Sequence, residues 1–141
     1  MATKSRTIQT ANPYSGYVLS LLRIIVGFTF ACHGAEKLFG VFGGLDGHGR
    51  PAAFLSFIWI GGFLEFFGGL MLVLGLFTRL VAFIVCGEMA VAYFRSHAPR
   101  GFWPIQNGGE LAVLYCFIFV YIFAAGAGPL SVDRLIRRRE I

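Results

Sequence analysis

Four apolar runs, separated by breaks rich in glycine, proline and charge, set the frame of this chain. The first starts at Tyr17 and continues for about 22 residues, enough to cross a hydrocarbon core at about 1.5 Å of rise per residue. The stretch Gly43-Gly44-Leu45-Asp46-Gly47-His48-Gly49-Arg50-Pro51 then predicts a hydrated loop. A second run fills Phe54 to Leu76. At its end, Gly75 is expected to stop one helix and Thr78 to cap the next, which makes a tight hairpin. The third run covers about residues 80–95, and its exit through Phe102-Trp103-Pro104 suits a membrane–water interface. The fourth, about residues 108–127, opens at Asn107-Gly108-Gly109-Glu110, a spacing that fits a capping box, and Pro129 ends it. The expected architecture is all-α: one membrane-embedded four-helix bundle, with spans at about 17–38, 54–76, 80–95 and 108–127 running up-down-up-down.

The flanks complete the topology. Residues 1–16 form a polar lead containing Lys4, Arg6 and Asn12-Pro13. The run behind it is too long for a signal-peptide core and lacks a small-residue cleavage site, so it reads as a retained helix. Residues 129–141 form a tail in which Arg134 and Arg137 to Arg139 suit anionic lipid headgroups. With both termini cytoplasmic, eight basic residues (Lys4, Arg6, Arg23, Arg79, Arg134 and Arg137 to Arg139) lie on the inner side. Lys37, Arg50, Arg95 and Arg100 lie outside. The excess of inner positive charge favours this orientation in the cell membrane.

Composition sharpens the class. The chain is 57% hydrophobic and 13% charged, against about 25% charged in soluble domains, so its runs have too few polar residues to cover a soluble core. The lipid bilayer is the expected partner. The net charge of +5 does not imply nucleic acid, because the basic residues punctuate the apolar runs and form no stripe with interleaved aromatics. Cys32, Cys86 and Cys116 lie inside apolar runs without CxxC spacing, which makes them buried thiols and provides no metal signature. A redox pair requires the fold to bring two of them together.

The candidate chemistry lies in the polar residues that interrupt the apolar runs. His33, Glu36 and Lys37 close the first run, and Arg23, Gly27, Phe30, Gly34 and Lys37 share one helix face. Arg23 is expected to snorkel towards headgroups. Glu65 lies near the middle of the second run, where a carboxylate must be protonated, paired or facing water. Glu88 and Arg95 share a face of the third helix, His97 follows, and Asn107 and Glu110 open the fourth. In the expected topology these groups converge in the outer half of the bundle. Glu65, Glu88, Glu110 and His97 are the candidate proton-handling catalytic groups; His33, Lys37, Arg95 and Asn107 are the candidate substrate-binding groups. A structural polar knot that fixes helix register accounts for the same residues, as does helix capping for Glu110.

The ordered motifs Arg23-x3-Gly27, His33-Gly34-x2-Lys37, Glu65-x2-Gly68-Gly69, Gly75-Leu76-x-Thr78-Arg79, His97, Trp103-Pro104, Asn107-Gly108-Gly109-Glu110 and Gly126-x-Gly128-Pro129-Leu130-Ser131-x-Asp133 resemble the DoxX family over residues 17–133. The resemblance implies a multi-pass protein of the bacterial cytoplasmic membrane, associated with quinone-linked oxidoreduction or oxidative-stress responses. It also implies redox partner subunits, and a homo-oligomer is compatible with the glycine stripes. Nothing in the sequence stores an electron and there is no haem signature, so a quinone is the cofactor or reactant to test, and an accessory subunit is expected rather than an independent enzyme. A carrier for a small polar or amphipathic molecule and a membrane assembly scaffold stand as alternatives.

Overall fold

A computed structural model describes residues 12–139. Lys4 and Arg6, read as inner charges, lie outside the described residues, as do the side chains of Arg138 and Arg139. Among the described residues the protein is helical without a strand, and one isolated bridge joins Gly44 to Arg50. The elements are α1 (Ser15–Phe39), α2 (Phe57–Leu74), α3 (Thr78–Ala92), α4 (Pro104–Asn107), α5 (Glu110–Ala125) and α6 (Val132–Arg139). A π-helical turn (Tyr93–His97) and a 3-10 turn (Ala98–Arg100) prolong α3.

Among the described residues, three helical segments are long and apolar enough to cross a membrane: Ser15–Phe39, Phe57–Leu74 and Thr78–Arg100. The fourth apolar run is shorter as a helix. α5 has 16 residues, about 24 Å at 1.5 Å per residue, because Gly109 and Gly126 bound it.

The sequence dictates two helix pairs. On α1, a Cβ placed at Gly34 would meet the Phe66 backbone nitrogen at 2.2 Å, and one at Gly69 of α2 would meet the Gly27 carbonyl at 2.6 Å. The absence of side chains there lets the backbones touch, and it fixes α1 antiparallel to α2. α3 pairs with α5 through side chains instead: Phe83 packs on Phe123 at 5.7 Å between centroids, and Cys86 meets Cys116. Phe30, Leu72, Val85, Phe119 and Ile122 fill the centre where the pairs meet.

The turn between α2 and α3 departs from the predicted capping. Gly75 ends α2 in the left-handed region at φ 68, as its lack of a Cβ permits. Thr78, however, is the first residue of α3 and not its cap; its Oγ1 is buried without a partner. Asp133, 55 residues downstream, performs the capping. Its carboxylate accepts from Phe77 N at 2.7 Å and Thr78 N at 2.9 Å, and its own N–H donates to the Gly75 carbonyl at 2.9 Å. A carboxylate at exposed helix-start N–H groups also matches the positive end of the helix dipole.

Arg23 departs further from expectation. It does not snorkel to headgroups. Its side chain is fully buried, and the guanidinium donates to the carbonyls of Leu72, Val73, Ala127 and Leu130. Leu72 and Val73 are among the last carbonyls of α2, at the negative end of the helix dipole, which attracts the cation.

Candidate functional site

The opposite end of the bundle holds a second polar cluster. α1 delivers His33, one turn before Lys37, and α2 delivers Glu65 beside them. Lys37 Nζ lies 2.5 Å from Glu65 Oε1, with Lys37 27% and Glu65 3% exposed. The contact follows from the glycine packing, since Gly62 sits against the Lys37 Cβ and brings the Glu65 turn up to α1. Among the described residues, Glu65 Oε2 is buried without a hydrogen-bond partner, and so is Glu88 Oε2 on α3. Glu88 stands behind Glu65, against Gly61, where a Cβ would come within 3.3 Å of Glu88 Oε1. A salt bridge with one satisfied oxygen in two, backed by another unsatisfied carboxyl oxygen, retains hydrogen-bonding capacity for a bound molecule.

Glu65 opens on a cavity of about 190 Å³, walled by His33, Lys37, Glu65, Met89, His97 and Tyr115; Glu88 does not line it. His33 packs edge-on against Tyr115 and keeps Glu36 Oε2 at 3.9 Å from its Nδ1. Tyr115 was not singled out in the sequence; its hydroxyl donates to Thr29 Oγ1 at 2.9 Å and ties α5 to α1 beside the cavity. His97 is the last residue of the π-helical turn that prolongs α3, and its side chain lines the cavity. Its Nδ1 lies 3.2 Å from the Asn107 carbonyl and 3.1 Å from the Arg100 guanidinium.

The other candidates occupy different places. Asn107 is buried and acts as a clamp: Nδ2 donates to the Gly101 carbonyl at 2.6 Å and to Tyr93 Oη at 3.4 Å, while Oδ1 accepts from Gly109 N at 2.8 Å. It closes α4 and is not the cap of α5, which Gly109 precedes without a side-chain cap. Glu110 is exposed at the first position of α5 and does not line the cavity. Arg95 is exposed too, with its guanidinium 4.4 Å from the Phe57 ring centroid. In the 41–56 loop, the backbone N–H groups of His48 and Arg50 donate to Asp46 Oδ1 and hold its carboxyl below the usual carboxylate range. Asp46 and His48 thus form the turn.

The DoxX family model matches residues 18–98, more than half of the chain, and that stretch contains His33, Lys37, Glu65, Glu88 and His97. The chain belongs to the DoxX family. α5 and α6 lie beyond the matched residues. Among its relatives, a protein of Haemophilus influenzae (strain KW20 / Rd) described as uncharacterized is 42% identical over 127 residues, covering 85% of this chain and 91% of its own length. A second uncharacterized protein of the same organism is 32% identical over 68 residues, 48% of this chain and 45% of its own. No solved structure matches. The protein is thus a DoxX family membrane protein with a polar cavity at one end of its helices.

Proposed function

We propose that this DoxX family protein is a subunit of a quinone-linked redox system, whose cavity takes the polar head of a small carbonyl-bearing or anionic reactant. The observation that carries this reading is the Lys37–Glu65 pair, held at 2.5 Å with Glu65 Oε2 unsatisfied and two histidines across the same cavity. A carbonyl oxygen entering there meets a cation and imidazole donors, and reduction of a quinone carbonyl needs a proton delivered to that oxygen. Lys37 and His33 would orient the head, His97 and Glu65 would exchange protons with it, and Glu88 would resupply Glu65 from behind. Asn107 positions His97 through its backbone carbonyl. Arg95 and Glu110, outside the cavity, act as approach charges at most.

In the same reading α5 crosses the bilayer with the three longer segments, in an up-down-up-down bundle with cytoplasmic termini and an outward-facing cavity. Its antiparallel pairing along α3 and the inner excess of basic residues support this arrangement. The cavity's modest volume also favours a second reading, a carrier for a small polar molecule that moves no electrons.

Titration of the detergent-solubilised protein with a short-chain quinone, followed calorimetrically, tests the proposal. Binding should weaken more than tenfold in the Lys37→Met, Glu65→Gln double variant, in which neither charge is left unpaired. Equal affinity in both proteins would overturn it.

A further inference from the structure

The structure assigns a two-electron store to the chain: we propose that Cys86 and Cys116 form a reversible dithiol/disulfide couple that exchanges with a quinone-class acceptor entering from the lipid. This inference rests on the quinone-linked reading only for the class of acceptor. The two thiols are 30 residues apart in sequence and on different helices, yet their Sγ atoms lie 3.6 Å apart across the α3–α5 seam. Closing to a disulfide of about 2.05 Å requires a shift of about 1.5 Å, within the reach of a rotamer adjustment at two half-buried side chains. Cys32 is on α1 and lines neither the polar cavity nor the groove beside Cys116.

Access comes from a second cavity. Cys116 lines a groove of about 380 Å³ between α3 and α5, walled by Tyr93, Phe94, Phe102, Trp103 and Phe117. Almost all of its wall is apolar, which suits a lipophilic ring and excludes hydrated oxidants. The groove and the polar cavity are back to back: Met89 and Ala112 line both, and Tyr115 and Cys116 are consecutive residues facing one each. Cys116 therefore stands at the partition between the polar cavity and the apolar groove, with Cys86 in contact behind it.

The exchange balances without a further reactant. The S–H bonds of Cys86 and Cys116 break and one S–S bond forms; two electrons and two protons pass to the two carbonyl oxygens of the quinone, which leaves as quinol. The reverse step regenerates the dithiol. Thiol–disulfide couples are two-electron couples, as is quinone/quinol, so no one-electron carrier is required.

The test uses the full chain, reduced and then freed of reductant, in lipid nanodiscs under anaerobic conditions. A fully ring-substituted quinone, which cannot arylate thiols, is added; free thiols are counted after denaturation and quinol is read by absorbance. The expected result is a fall from three thiols to one, with Cys32 remaining, and one quinol per chain. Cys86→Ser and Cys116→Ser should each keep two thiols and form no quinol. A parallel sample receives diamide, a thiol oxidant that needs no quinone site. Bridging by diamide but not by quinone would overturn the exchange. Failure of both would overturn the couple itself. Neither result bears on the Lys37–Glu65 cavity, whose quinone affinity is measured separately.

Discussion

The Arg23 end and the Lys37 end of the molecule both bury charge between α1 and α2, and they differ in how the charged groups are satisfied; the one unmet oxygen at the Arg23 end among the described residues is the neutral Thr78 hydroxyl. Arg23 donates to four carbonyls, and Asp133 in the same region accepts two N–H groups of the α3 start. Their hydrogen bonds go to the backbone, so the cluster fixes where α2 ends and α3 begins. At the other end, Lys37 bonds a side chain, and Glu65 and Glu88 each keep a buried oxygen without a partner. A group satisfied by backbone holds the fold together; a group left half-satisfied beside a cavity is available to a ligand. The contrast separates a structural charge from a candidate functional one within a single helix pair.

Variants should divide along the same line. The largest effect is expected for Arg23→Met, which leaves buried carbonyls unpaired and costs about 3–5 kcal/mol in stability. Thermal unfolding in detergent should show it, while the fraction that stays folded keeps wild-type quinone affinity. Next comes Lys37→Met, which strands a nearly buried carboxylate: a loss of about 1–3 kcal/mol is expected, largely restored by adding Glu65→Gln, although ligand binding stays lost. A double-mutant cycle measures that rescue. Asp133→Ala removes the cap of α3 and should cost about 1–2 kcal/mol with binding unchanged. The smallest effect is expected for Arg95→Ala, whose exposed contact with Phe57 contributes about 0.5–1 kcal/mol.

Much of the candidate site was legible in the sequence because ionisable residues in apolar runs are costly wherever they stand. Glu65 and Lys37 stood out for that reason, and the glycine spacings that bring them together were visible on one helix face. The partners of Arg23 were hidden, since backbone carbonyls at a helix end have no sequence signature, and a snorkelling arginine has the same local pattern. Asp133 was read as part of a basic tail because its role depends on the chain returning to a turn formed 55 residues earlier. Asn107 and Glu110 matched a capping box by spacing, but the short helix Pro104–Asn107 shifts the start of α5 past Gly109. The Cys86–Cys116 contact, open in the sequence, depends on the register of α3 against α5, which no local motif encodes.

The most direct test of the contrast is the quinone content of lipid extracts from protein purified in mild detergent, compared among wild type, Glu65→Gln and Asp133→Ala. About one quinone per chain is expected in wild type and in Asp133→Ala, with at least nine-tenths of it lost in Glu65→Gln. Equal quinone content in wild type and Glu65→Gln, or none in any of the three, would contradict that expectation.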